Sequence, residues 1–288
     1  SGTGSTALVF TTTIAEGDTD SSDVSVSSYS GTITDAAGGP AGAASGDLGA
    51  VTVDGDAPDF SSVTATNGAY GVGEELSITV TWGEAVVVSG TPTLTLDNGD
   101  TASYSSGTGS TALVFTTTIA EGDDDSSDLS VSSYSGTITD AAGGPAGAAS
   151  GDLGTVTVDG DAPDFTSVAA TNGAYGVGET LSITVTWGEA VVVSGTPTLT
   201  LDNGDTASYS SGSGSTALVF TTTIAEGDTD SSDLKISSIS GTVNDAAGNA
   251  AGAVSGDLGA VTVDGAVPVF SSVAATDGAY GVGETLSI

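Results

Sequence analysis

Residues 76–104 read LSITVTWGEAVVVSGTPTLTLDNGDTASY. Leu76, Ile78, Val80 and Trp82 alternate with Ser77, Thr79 and Thr81, the period-two pattern of a strand with one buried and one solvated face. A strand is therefore expected over 74–82. A second is expected over 85–96, with a break at Ser89-Gly90, and Pro92, which cannot donate to a ladder, marks an edge or a bulge there. Asp97-Asn98-Gly99-Asp100 is the strongest hairpin signal of the stretch, because Asn-Gly accepts the positive φ of tight hairpin turns. It leads into a short strand over 101–104.

Outward from this stretch the same alternation continues. A strand is expected over 58–66, after which Asn67-Gly68 turns the chain. Further strands are expected over 111–119 with Leu113, Phe115 and Ile119 inward, over 129–139 with an interruption near Gly136, and over 153–158 with Val156 and Val158 inward. Seven strands in an up-and-down path put the two ends of such a domain at opposite poles.

The pattern recurs. SGTGSTALVFTTTIAEGD begins at Ser1 and again at Ser106, and SGSGSTALVF begins at Ser211, a period of 105 residues. Complete copies run over 57–161 and 162–266 and differ at 15 of 105 positions; residues 1–56 match the last part of a copy, and 267–288 match the first 22 residues of another. Ser1 opens in mid-pattern and is read as a processed or truncated end. A period of this length is too long for a solenoid coil and suits one independent β-sandwich. The expected architecture is all-β: tandem seven-stranded sandwiches joined end to end as a rod, with Pro163 stiffening the joint by fixing φ. A strand of nine residues spans about 30 Å, so each copy adds a few tens of ångströms.

Composition narrows the function classes. The chain has no Cys, Met, His or Arg, and Lys235 is its single basic residue against 37 Asp and Glu, a formal charge of −36. Such a surface repels nucleic acid and anionic membrane, and no apolar run is long enough to span a bilayer. A disordered, acidic Ser/Thr-Gly stalk is argued against by the alternating Val, Ile, Leu and Phe. Disulfides are excluded, and Lys-dependent isopeptide crosslinks are excluded as general staples. Lacking the usual thiol nucleophile and imidazole base, and repeating nearly unchanged, the copies are read as non-catalytic. Trp82 and Trp187 are read as core plugs, and the outward Thr residues of 77–81 and 116–118 as solvated strand faces rather than an ice-binding surface.

The carboxylates are read as calcium ligands, since hard cations take clustered oxygens. One cluster is Glu121, Asp123, Asp125 and Asp128, with Asp124 between; it recurs as Glu16, Asp18, Asp20 and Asp23 and as Glu226, Asp228, Asp230 and Asp233. A solvated acidic loop is the alternative. A second cluster is expected at the joint, where the seven-strand path brings Asp159 and Asp161 of one copy towards Asp164, Glu189 and Asp245 of the next. The preceding joint carries the counterparts Asp54, Asp56, Glu84 and Asp140. Carboxylates so gathered repel unless a cation intervenes; an acidic hinge is the alternative. Asp161 is replaced by Ala266 at the end of the second copy, which predicts weaker cation binding there.

The stretch 76–104, with SGTGSTALVF and GTITDAAGG, resembles the bacterial immunoglobulin-like (cadherin-like) tandem domains of giant cell-surface adhesins, and Asp245-Ala246-Ala247-Gly248-Asn249 is the form closest to that family. The joint VDGDAP departs from it, the family tending to carry an uncharged Thr pair before Ala-Pro. The resemblance implies immunoglobulin-like sandwiches in a secreted, cell-surface stalk that serves cell adhesion and biofilm formation, often with calcium at its joints. Neighbouring repeats of the same chain are then the main partners. The alternatives are a repeating subunit of an extracellular filament, sheath or surface layer, in which identical chains also assemble.

Overall fold

β5 (Glu75–Leu96) organises the first half of the computed structural model, which describes residues 2–288. Its 22 residues cover both strands expected at 74–82 and 85–96, which are not separate. The chain divides into two compact units, Ser1–Asp161 and Ala162–Ile288, and is all-β, with no helix among the described residues.

In the first unit β1 (Ser25–Val26) and β2 (Gly46–Asp47) form a small antiparallel pair, followed by β3 (Phe60–Ala65), β4 (Gly68–Tyr70), β5, β6 (Thr101–Ser106), β7 (Ser110–Thr118), β8 (Ser130–Thr139), β9 (Gly151–Asp152) and β10 (Val156–Val158). The first part of β5 lies between β3 and β7, with Phe60 opposite Trp82 and Ile78 opposite Phe115. Its second part lies between β6 and β8, with Leu94 opposite Ala102 and Tyr134. The register against β7 slips between Thr81 and Val86, and against β8 between Ser89 and Thr93. β5 thus bends across Gly83-Glu84, where its pairing is interrupted, and passes from β3 and β7 to β8 and β6 as neighbours. The path is therefore not a simple up-and-down order.

Two further features depart from the expected strands. The strand expected over 58–66 ends at Ala65, where the chain leaves β5. β4 then pairs in parallel with β10, Val156 opposite Gly68 and Val158 opposite Tyr70. Asn67 Oδ1 accepts the Thr155 N–H at 3.2 Å, which fixes this crossing. The interruption expected near Gly136 is a local φ of 107° within an otherwise continuous β8. A Cβ there would lie 2.8 Å from Pro92 Cα, so only glycine lets the proline of β5 pack against β8.

The alternation read from the sequence is the burial pattern. Leu76, Ile78, Val80, Trp82, Leu113, Phe115, Val156 and Val158 are all 3 % exposed or less, each such side chain contributing about 1.5–3 kcal/mol by leaving water. Tyr104 meets Phe115 edge to face at 5.9 Å.

The second unit repeats this with β11 (Phe165–Ala170), β12 (Gly173–Gly176), β13 (Thr180–Leu201), β14 (Thr206–Ser211), β15 (Ser215–Thr223), β16 (Lys235–Asn244), β17 (Gly256–Asp257) and β18 (Val261–Asp264). β13 takes the place of β5, and β12 pairs β18 in parallel. Residues 5–13 and 285–288 carry the sequences of β7 and, in part, of β13, yet neither forms a strand.

Candidate metal centre

At one end of the 57–161 copy, backbone hydrogen bonds staple three chain segments together. Gly83 N–H donates to Asp59 O at 2.8 Å and Gly147 N–H donates to Pro58 O at 2.8 Å. The start of the copy, the bend of β5 and the loop after β8 therefore share a pole, as the sequence reading expects of the acids they carry. Glu84 follows Gly83 in the bend. Asp140 follows β8 directly, is only 4 % exposed, and accepts N–H groups from Ala142, Gly143 and Gly144 at 2.7, 2.6 and 2.9 Å on Oδ1.

Asp54 and Asp56 belong to the segment that precedes this copy. Val53 pairs with Ser21, and Gly55 N–H donates to Asp20 Oδ1 at 2.9 Å, so Asp20 and Asp54 are drawn together. Asp20, Asp54, Ala141 and Ala142 line one hollow of about 400 Å³. The field inside this group is felt by Glu84. Its carboxyl is held above the ordinary value of 4.5, first by burial, then by the charges of Asp54, Asp140, Asp56 and Asp20. No basic side chain relieves them: Lys235, the single base of the chain, is in the second unit, 3.0 Å from Asp233 and 3.5 Å from Asp257. Asp20 comes from the loop cluster that the sequence reading kept apart from the joint. Backbone pairing of residues 21 and 53, some thirty positions apart, the Gly17 N–H donated to Gly55 O at 2.8 Å and the Gly55 N–H on Asp20 join the two.

The pH dependence follows from the sign of that shift. Glu84 holds its proton more tightly folded than unfolded, so its contribution to stability is present at low pH and is lost as pH rises through the folded pKa. In chelator, the stability that Glu84 confers relative to Glu84→Gln is expected to be larger at about pH 4, below the ordinary carboxyl value, than at about pH 7.5, and a divalent cation is expected to remove the difference; calorimetry of both chains at the two pH values checks this. Asp97 runs the other way. Burial alone would raise it, but the Ser130 N–H at 3.0 Å and Ser130 hydroxyl at 2.8 Å hold it below its usual 3.8, so its contribution is lost only as pH falls through that lowered pKa.

The second unit carries the same stapled end. Gly188 N–H donates to Asp164 O at 2.9 Å, Gly252 N–H donates to Pro163 O at 2.9 Å, Glu189 sits in the bend of β13, and Asp245 follows β16. Asp245 is 5 % exposed; Oδ1 accepts the Gly248 and Asn249 N–H groups at 2.7 and 2.9 Å, while the buried Oδ2 has no hydrogen-bond partner. A buried carboxylate oxygen with no donor is costly, and it suits a cation, which takes a bare oxygen as a ligand. The change of Gly144 to Asn249 sets this apart from the first unit: a Cβ at residue 144 would lie 2.3 Å from Asp140 Oδ2, so an asparagine there forces the carboxylate to a different rotation. Asn249, itself 4 % exposed, is a residue the sequence reading did not place among the candidates. Its signal was the appearance of an amide in a loop that is otherwise Ala and Gly.

The remaining candidates have identifiable local roles. Asp123 Oδ2 accepts the Ala120 N–H at 2.7 Å and closes its own turn, and Asp125 Oδ1 accepts the Gly160 N–H at 2.9 Å, tying the loop to the end of β10. Glu121 and Asp128 are exposed in that loop. Asp159 and Asp161 close the first unit, Asp161 N–H lying 3.3 Å from Asp159 Oδ1. Compared with known proteins, the chain matches no family model and no curated protein.

Proposed function

We propose that the chain is a non-catalytic structural extender of a secreted bacterial surface adhesin, a row of seven-stranded immunoglobulin-like sandwiches whose joints are stiffened by calcium. The observation that carries this reading is the buried carboxylate of Asp245, with one oxygen held by two backbone N–H groups and the other left bare. The raised Glu84 carboxyl beside Asp54, Asp56 and Asp140 supports it from the first unit. By the 105-residue repeat, Asp159, Glu189 and Asp245 are the counterparts of Asp54, Glu84 and Asp140, and they are proposed as ligands together with Asp161 and Asp164. Calcium is favoured over softer metals because every candidate ligand is an oxygen and the chain contains neither His nor Cys.

The same composition supports an extracellular role. A surface of charge −36 has cations, not phosphates or anionic lipids, as its natural counter-ligands. Tandem, nearly identical copies suit a mechanical spacer better than a recognition module. The test is thermal melting together with small-angle scattering, in millimolar calcium and in chelator. Calcium is expected to raise the melting temperature by several degrees and to lengthen the particle, since a ligand bound only by the native state stabilises it. An unchanged midpoint with an unchanged radius of gyration would defeat the proposal.

A further inference from the structure

Trp82 and Trp187 stand 105 residues apart at equivalent positions, but their surroundings differ. Tyr134 meets Trp82 edge to face, with centroids 6.2 Å apart and planes at 88°. The Tyr134 hydroxyl, whose pKa burial pushes up, donates to Ala146 O at 2.8 Å, and Trp82 Nε1–H donates to Gly147 O at 3.5 Å. In the second unit Ile239 takes the place of Tyr134. No ring then fills the space between the indole and Ala251, the counterpart of Ala146, and a hollow of about 260 Å³ is lined there by Trp187, Ile239, Val243, Asn244, Ala251 and Gly252. Trp187 is 2 % exposed, and its Nε1–H has no hydrogen-bond partner. A buried donor without an acceptor has given up its bond to water and received nothing in exchange.

We propose that this hollow is a binding site for a small, uncharged phenolic molecule. Its walls are mostly the apolar side chains and glycines of β16 and the following loop, with Thr242 and Asn244 the polar side chains among them, and one face of it is the tryptophan that packs a phenol ring in the sister unit. A phenol carries both polar functions that the site asks for: an O–H to donate to the Ala251 carbonyl, as Tyr134 does to Ala146, and an oxygen to accept from Trp187 Nε1–H. The volume admits a single substituted ring and little more, given that a dry cavity of about 150 Å³ holds benzene. The charge of −36 disfavours phenols that carry a carboxylate.

The test is titration of the full chain with p-cresol, following the two indole N–H resonances in a nitrogen-15 correlation spectrum. The Trp187 signal is identified as the one displaced by Ile239→Tyr. It is expected to shift saturably, with half-effect at roughly 1 mM, as suits so small a ligand. The Trp82 signal is expected to stay in place, and 4-hydroxybenzoate is expected to bind at least about tenfold more weakly. Ile239→Tyr, which refills the hollow from within, is expected to abolish the response; if that variant fails to fold, Ile239→Phe serves, since its ring fills the same space. A shift that does not saturate, a response that survives in the filled variant, or toluene binding as well as p-cresol would each overturn the proposal.

Discussion

Phe115→Ala is expected to lower the unfolding free energy of the first unit by about 3–5 kcal/mol, whereas Phe10→Ala changes it by less than about 0.5 kcal/mol. The two phenylalanines sit in identical surroundings of sequence, STALVFTTT at 5–13 and at 110–118. Their surroundings in space are opposite. Phe115 is fully buried on β7, opposite Ile78 of β5 and against the Tyr104 ring. Removing its ring leaves a cavity that the strands fill only in part, because β5 opposite Phe115 is held by β3 on one side and β7 on the other. Phe10 is 73 % exposed, so truncation there removes little packing. Urea midpoints of the two variants decide it. Equal losses would mean that residues 5–13 are docked as a strand in solution.

Asp245→Asn is expected to remove the calcium-dependent rise in the melting temperature of the second unit, worth about 2–3 kcal/mol at calcium concentrations of roughly 30–100 times Kd. In chelator the same variant is expected to be at least as stable as the parent. The amide keeps an oxygen for the Gly248 and Asn249 N–H groups and discards the buried charge whose second oxygen has no donor. A structural role alone predicts the reverse in chelator: loss of a well-accepted carboxylate would destabilise the loop after β16. The crossing of the two curves, parent above variant in calcium and not above it in chelator, is therefore the diagnostic result. Parallel curves in both conditions would assign Asp245 to loop closure and nothing else.

Much of the fold is legible in the sequence. The alternation of Leu76, Ile78, Val80 and Trp82 determines which face is buried, because a period of two leaves no other way to hide these side chains. The 105-residue repeat determines that the copies 57–161 and 162–266 fold alike, and the Asp-Asn-Gly-Asp turn determines the hairpin between β5 and β6. Asp140 and Asp245 are legible as candidates because an acid recurs just after the same strand in each copy.

Tertiary structure decided what depends on partners far along the chain. One nine-residue sequence is a buried strand at 110–118 and an exposed, non-strand segment at 5–13, because a strand's backbone and apolar face are satisfied only by neighbours: β7 lies between β5 and β6, and no strand pairs with 5–13. The bend of β5, held by two different sets of neighbours, and the parallel pairing of β4 with β10 arise the same way. So does the meeting of Asp20 with Asp54 beside Glu84: charges repel through space and not along sequence, and the pairing of Ser21 with Val53, with the Gly55 N–H on Asp20, sets their distance.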